Sequence, residues 1–313
     1  MKKLLIAIGI ILCCQGAFAL DLELIEGFGN MAYNKDLVSA LSEDETDPGT
    51  FLPQYYPLVK ARFSGEFSGL GYSFGYEREP IMRNRLFANI RIEQEYFFVE
   101  GGPFIGLMNT GKLPVNPGFS AVMGLMLPGI VFVQAAGSST LAAIPMEKKG
   151  NYSQISADLS AGFWVPHVIC SFNMSIKSFT LRERVDLLIE DELIRYYFRA
   201  DVFTKNFPYT MHVDLGFQNL KRSYTSMGIS VSGTEIEQTV VTDEFKSVFI
   251  GAEGFFAVSP ALTLILGGEI PVYFWPVRPM KDTPKGIILF EARVGIKLTL
   301  SAGNSRSSIQ EED

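Results

Sequence analysis

The stretch that decides the fold is 209–218, which reads YTMHVDLGFQ. Every second residue in this stretch is large and apolar, and the residues between are polar or small. The apolar row consists of Tyr209, Met211, Val213, Leu215 and Phe217. Because successive side chains of a β-strand point to opposite faces, this alternation predicts a strand with one apolar face and one polar face.

The same alternation recurs along the chain, most clearly at 168–177 and 287–299. Apolar-alternating segments bounded by Gly, Pro and polar residues predict fourteen strands. The predicted strands are 21–29, 56–67, 70–78, 85–99, 104–108, 118–127, 130–137, 154–164, 167–178, 195–205, 209–219, 247–258, 261–270 and 286–300. Because prolines interrupt the region 103–117, a twelve-stranded arrangement without 104–108 and one neighbour is the alternative.

The connections between the predicted strands alternate in length. Tight turns are predicted at 68–69, 101–102, 128–129, 165–166, 207–208 and 259–260. Long polar loops are predicted at 30–55, 138–153, 179–194, 220–246 and 271–285. A helical element within 182–194 is an alternative to a plain loop. An even strand number with every second connection tight is typical of antiparallel barrels that cross the bacterial outer membrane.

The two ends of the chain differ from the strand region 20–300, which is the predicted barrel domain. Residues 1–19 combine two lysines, an apolar run and a final small-residue pattern, which predicts a cleaved secretory signal peptide. Its removal takes away two lysines, so the formal net charge changes from −7 to −9. This acidic balance disfavours a nucleic-acid partner, and none is predicted. Only Cys170 then remains, so no intramolecular disulfide forms. Residues 301–313 are predicted to be a polar tail.

The chain is 47% hydrophobic but lacks a candidate transmembrane helix. Its longest apolar runs, 119–133 and 248–266, are broken by proline or by charge, and a spanning helix needs about 20 apolar residues. We therefore expect the apolar strand faces to contact lipid. The barrel is expected to close, because an open sheet edge in hydrocarbon leaves backbone groups without partners. A soluble periplasmic β-protein, with the apolar faces packed on a core, is the alternative.

The polar faces of the strands predict a lumen of mixed charge. The candidate lumen residues are Lys60, Arg62, Glu66, Arg91, Asp158, Lys177, Arg195, Arg199, Asp201, His212, Asp214, Glu253, Glu291, Arg293 and Lys297. Small residues between them leave space for an aqueous passage. One interpretation is a channel or transporter whose acidic and basic walls orient small solutes. The other is a salt-bridged network that stiffens the barrel.

Two further function classes are compatible with the sequence. His212 and Asp214 share a strand face, so an outer-membrane hydrolase with an imidazole oriented by a carboxylate is one alternative. No catalytic residue, cofactor or metal is predicted, because the sequence has neither a nucleophile motif nor a metal-ligand cluster. The other alternative is a surface adhesin or receptor with a plugged lumen, whose loops 30–55 and 220–246 bind a partner.

Over 20–300 the chain resembles bacterial outer-membrane β-barrel proteins, and its strand count is similar to that of FadL-type transporters or monomeric fourteen-stranded porins. The region 20–50 lacks the Asn-Pro-Ala plug signature of the FadL type, and a polar tail follows the last strand. The resemblance implies an outer-membrane location. It also implies, as partners, outer-membrane lipid, the barrel assembly machinery and small solutes or a hydrophobic substrate.

Overall fold

The computed structural model describes residues 19–31, 55–67, 69–107, 115–141, 151–184, 187–203, 209–229, 236–276 and 288–301. These residues form fourteen strands. The strands are β1 (Ala19–Gly29), β2 (Tyr56–Phe67), β3 (Leu70–Glu79), β4 (Arg83–Glu93), β5 (Phe97–Leu107), β6 (Val115–Leu127), β7 (Val131–Thr140), β8 (Tyr152–Val165), β9 (Val168–Arg184), β10 (Leu187–Phe203), β11 (Tyr209–Ile229), β12 (Ile236–Ser259), β13 (Leu262–Pro276) and β14 (Glu291–Ser301).

The strands form one closed antiparallel barrel in which neighbours in sequence are neighbours in the sheet. Closure occurs between the first and last strands, where Leu22 of β1 pairs with Leu298 of β14. On its other side β1 pairs with β2, for example Leu22 with Phe63. The predicted fourteen-stranded closed barrel is confirmed, and the twelve-stranded alternative is wrong.

Strand β11, which contains 209–218, shows which face of the sheet lies inside the barrel. Leu215 of β11 is 53% exposed and Met211 is 37% exposed, whereas Asp214 between them is 8% exposed. The outward direction of the apolar row is therefore confirmed. Large apolar side chains are exposed on the other strands as well, including Ile90, Met123, Leu125, Leu159, Phe172, Leu266 and Val294.

The predicted tight turn at 101–102 is wrong. Strand β5 runs straight through both glycines, and the turn lies at 94–96 instead. A Cβ on Gly102 would approach the carbonyl oxygen of Ala88 on β4 to 1.9 Å. Glycine is present here because the neighbouring backbone comes close, and not because the chain reverses. Residues 104–107 of the predicted strand 104–108 are thus the second half of β5, and 108 lies outside the described residues.

The predicted loops 179–194 and 220–246 are also wrong in large part, as is the helical alternative for 182–194. Strand β9 continues to Arg184 and β10 starts at Leu187, while β11 and β12 form one long hairpin. The side chains of Leu187, Ile189 and Tyr224 are buried together in a small cluster. The alternation of inward-facing and outward-facing residues therefore continues beyond the predicted strand ends.

The two ends of the barrel differ. One end carries the first residue of β1 and the last residue of β14, and we call it the turn end. The connections between strands at this end are two to five residues long. The opposite end, the loop end, carries the long connection 30–55 and the extended strands β9–β12. The predicted signal peptide, 1–19, lies outside the described residues except for Ala19, the first residue of β1. The predicted tail, 301–313, lies outside them except for Ser301, the last residue of β14. In the described part of the chain, no helix has the length and apolar character needed to cross a membrane.

Candidate functional site

The lumen is the candidate functional site, and the wall formed by β10 and β11 carries its best-defined ion pair. Arg199 and Asp214 are direct partners in the strand register. The Nε and Nη2 atoms of Arg199 donate to the two carboxylate oxygens of Asp214, each at 2.8 Å. Such a bidentate pair fixes both side chains, because two parallel hydrogen bonds define the orientation of the guanidinium plane.

Arg195 lies four residues before Arg199, on the same face of β10, and reaches across the wall. Its Nη2 atom donates to Glu269 of β13, three strands away. The guanidinium group also lies over the ring of Phe249, with its central carbon 4.0 Å from the ring centroid. The ring and the carboxylate together hold Arg195 in one orientation.

A third group of charges joins β12, β14 and β2. Arg293 donates from Nε to Glu291 at 2.7 Å and from Nη1 to Glu253 at 3.4 Å. The hydroxyl of Tyr56 donates to the other oxygen of Glu291 at 3.1 Å. The nearest carboxylate oxygen to His212 belongs to Glu253, at 3.9 Å.

The hydrolase alternative required Asp214 to orient His212. In the structure both oxygens of Asp214 accept from Arg199, and the ion pair of His212 is with Glu253. The expected carboxylate–imidazole pair is therefore not formed. Among the described residues, no group of three or more metal-ligating side chains is placed to hold a metal ion.

The opposite wall has a smaller charged group around Glu100 of β5. One of its oxygens lies 3.6 Å from Arg62, and the other lies 3.6 Å from Arg91. Asn89 donates a hydrogen bond to it at 3.1 Å. The guanidinium of Arg91 lies over the ring of Phe98, 4.0 Å from the centroid.

The remaining predicted lumen residues form separate ion pairs or make none. Lys60 is 2.5 Å from Glu23, and nearer the turn end Lys297 is 2.9 Å from Asp21. Three carboxylates make no ion pair with another described residue. They are Glu66, Asp158 and Asp201.

The connection between β3 and β4 folds into the lumen at the loop end. We call residues 80–82 the internal turn; Ile81 is 4% exposed and Met82 is fully buried. The side chain of Ile81 belongs to an apolar cluster that fills this end of the barrel. The cluster consists of Met31, Ile81, Tyr152, Phe179, Leu220, Phe245 and Leu289. This apolar cluster narrows the passage through the barrel at the loop end.

Polar contacts across the barrel hold the internal turn. Just before it, Glu79 accepts a hydrogen bond from Lys177 of β9 at 2.6 Å, and just after it Arg83 donates to Asp191 of β10 at 3.0 Å. The side-chain amide of Gln154 on β8 donates to the carbonyl oxygen of Met82. Since β3 and β4 lie six strands from β9 and β10, these contacts span the lumen.

Below the internal turn lies a cavity of about 410 Å³, here called the central cavity. Its charged lining comprises six carboxylates and seven basic side chains. They are Glu77, Glu79, Asp214, Glu253, Glu269 and Glu291, with Lys60, Arg78, Arg85, Lys177, Arg195, Arg199 and Arg293. A second cavity of about 230 Å³ shares Lys177 and Arg195 with it and includes Asp158. The two cavities are therefore adjacent, and both have charged linings beneath the narrowed end of the lumen.

Several charged residues of this site are not among those predicted from the sequence. Glu77, Arg85 and Glu269 lie at the polar positions of segments predicted as strands, so the alternation itself is the signal that identifies them. Asp191 and Arg222 lie in segments predicted as loops, where no face was assigned. If the period-two pattern is continued into those segments, it assigns Asp191 and Arg222 to the row of residues that faces the lumen.

Comparisons with known proteins found similarity to solved structures alone, and that similarity is low. No family model matches the sequence, and no curated protein matches it. OmpT of Vibrio cholerae with its loop L8 deleted, an outer membrane protein, aligns with a TM-score of 0.42 and 8% identity, covering 91% of this chain and all of that one. The chain resembles outer-membrane β-barrel proteins.

Two further solved structures align over similar lengths. A porin gives a TM-score of 0.40 at 10% identity, covering 90% of this chain and 100% of the porin. The outer membrane protein OpdK from Pseudomonas aeruginosa gives 0.35 at 11% identity, covering 91% of this chain and 99% of OpdK. The barrel topology of this chain rests on its own strand pairing.

Proposed function

We propose that this protein is an outer-membrane channel for small polar solutes, with a lumen narrowed at the loop end by the internal turn. The observation that carries the proposal is the inverted distribution of side chains. Leu125 and Met123 are 69% and 62% exposed on the outside, while the charged pairs Arg199–Asp214 and Arg195–Glu269 face inwards. A closed barrel with an apolar exterior is suited to lipid, and a charged interior is suited to water.

The difference between the barrel ends supports an orientation in the membrane. In outer-membrane barrels the short turns face the periplasm and the longer connections face outwards. We infer that the turn end of this barrel faces the periplasm and the loop end the exterior. Export by the signal peptide at 1–19, insertion by the barrel assembly machinery and contact with outer-membrane lipid are parts of this proposal.

Planar-bilayer recordings of the refolded, detergent-purified protein test the channel. We expect small discrete conductance steps from the unmodified chain. The double variant Ile81→Gly, Met82→Gly removes the apolar side chains of the internal turn and is expected to raise the step size at least twofold. The matched control is Ile130→Gly, because Ile130 lies in a turn at the other end and is exposed.

The outcome that contradicts the channel is electrical silence of both the unmodified and the double-variant barrels. Heat-modifiable gel migration has to show that each is folded. Silence of both would favour the second candidate function, a surface receptor or adhesin with a closed lumen. The specific observation in its favour is that β9–β12 extend beyond their neighbours at the loop end, where they present a sheet to the surroundings.

A further inference from the structure

We propose that the central cavity binds a small dipolar solute, a short aliphatic chain that carries one ammonium and one carboxylate group. The inference rests on the channel function proposed above and names the class of solute that the lumen selects. The cavity volume of about 410 Å³ falls within the range of about 300 to 1,000 Å³ that is common for small-molecule sites.

The arrangement of charges favours a dipolar solute over a simple ion. Carboxylates and basic groups of the lining occur in adjacent pairs, such as Arg199 with Asp214 and Lys177 with Glu79. The electric fields of two opposite charges a few ångströms apart largely cancel at longer distances. A singly charged ion of either sign therefore gains little electrostatic energy by entering the cavity. A solute with both charges is attracted at both ends, because it can place each end beside the opposite member of a pair.

Two unpartnered buried atoms indicate where the solute charges bind. Oε1 of Glu79 is an acceptor and Nε of Arg195 is a donor, and neither has a hydrogen-bond partner among the described residues. Both residues line the central cavity. Buried polar atoms are nearly always hydrogen-bonded in folded proteins. An ammonium group satisfies the glutamate oxygen, and a carboxylate satisfies the arginine nitrogen.

The surroundings of these two atoms are already ordered. The other oxygen of Glu79 is held by Lys177 at 2.6 Å, and Arg195 is held by Glu269 and the ring of Phe249. Preorganised groups lose little conformational entropy when a ligand binds. Ile81 and Leu193 supply apolar surface in the same cavity for the methylene groups of the solute.

Isothermal titration calorimetry of the full-length mature protein, refolded in detergent, tests the proposal. The probes are 4-aminobutyrate, butyrate and butylammonium, which share a carbon chain and differ in charge. We expect 4-aminobutyrate to bind at least fivefold more tightly than either singly charged analogue. A smaller preference, or no heat of binding for 4-aminobutyrate, overturns the proposal.

Variants locate the site. Glu79→Gln and Arg195→Gln are each expected to weaken binding of 4-aminobutyrate at least fivefold. The matched controls are Glu192→Gln and Lys221→Gln, which alter an ion pair on the outer face of β10 and β11 at 3.9 Å and are expected to leave binding unchanged. If Arg195→Gln loses its heat-modifiable migration, Arg195→Lys replaces it, because lysine keeps a charge for Glu269 but lacks the Nε–H donor. Equal weakening by the controls overturns the assignment.

The calorimetric experiment tests the class of solute, and the electrical experiment tests the channel, so each can contradict its own proposal without the other. A barrel that conducts but shows no preference for 4-aminobutyrate contradicts the solute class and leaves the channel in place. A barrel that binds 4-aminobutyrate selectively but is electrically silent contradicts the channel and leaves the binding site in place.

Discussion

Asp191 holds two guanidinium groups at the loop end of the lumen. It is 3% exposed, and its oxygens accept from Arg222 at 2.7 Å and from Arg83 at 3.0 Å. The Arg222 side chain is itself 4% exposed. Because both arginines are largely shielded from water, the Asp191 carboxylate is needed to balance their positive charge. Removing it would leave buried charges unpaired, which is strongly destabilising.

We therefore predict that Asp191→Asn lowers the free energy of unfolding by about 3 to 5 kcal/mol. The measurement is denaturant unfolding of the barrel in lipid vesicles, followed by tryptophan fluorescence. Glu192→Gln is the control on the same strand, since the pair of Glu192 with Lys221 is wider and partly exposed, and its loss is expected to cost less than about 1 kcal/mol. Equal losses for the two variants would contradict the compensating role of Asp191.

The sequence assigns each charged residue to a strand face, but it does not predict the partner of that residue. Arg199 and Asp214 follow directly from the alternation, because a side chain's face depends only on its position along its own strand. The pairing of Arg195 with Glu269 spans three strands. Such a contact depends on the stagger of every strand between them, which a single sequence does not specify.

At the scale of strands, the sequence predicted the number of elements and misjudged their ends. Strand β12 is 24 residues long, although the alternation was followed only from 247. Its loop-end half carries polar residues such as Thr239 and Thr242, so the contrast between the two faces weakens there. A strand outside the bilayer needs no apolar outer face, and the pattern that identifies a membrane strand therefore fades before the strand ends.

The buried cluster of Leu187, Ile189 and Tyr224 is expected to hold the extended part of β10 and β11 together. We predict that Ile189→Asn opens this part locally, because a buried amide without partners destabilises its surroundings, while the barrel below stays intact. Limited trypsin digestion of barrels in vesicles should then cleave at Lys221 or Arg222 at least tenfold faster. Leu188→Asn, one residue away on the opposite face, is the control, and equal cleavage of the two variants contradicts the role of the cluster.

At the scale of the whole molecule, the barrel has its apolar residues outside and its charges inside. Only 16 large apolar side chains of the described residues are buried, and many of these, such as Phe179 and Phe245, belong to the cluster at the loop end. A soluble barrel of the same strands would need its apolar rows in the interior. The distribution therefore favours lipid as the environment of the outer surface.

Leu215 distinguishes the two environments by experiment. It is the seventh residue of β11, and its side chain is 53% exposed on the outer face. If lipid covers this face, we predict that Leu215→Arg lowers the free energy of unfolding in vesicles by about 2 to 4 kcal/mol, as expected for a charge near the bilayer midplane. If water covers it, the same exposed substitution changes stability by about 0.5 kcal/mol or less. Thr225→Arg, on the same face of the extended part of β11, is the matched control, and an equally small effect at both positions would place the outer surface in water.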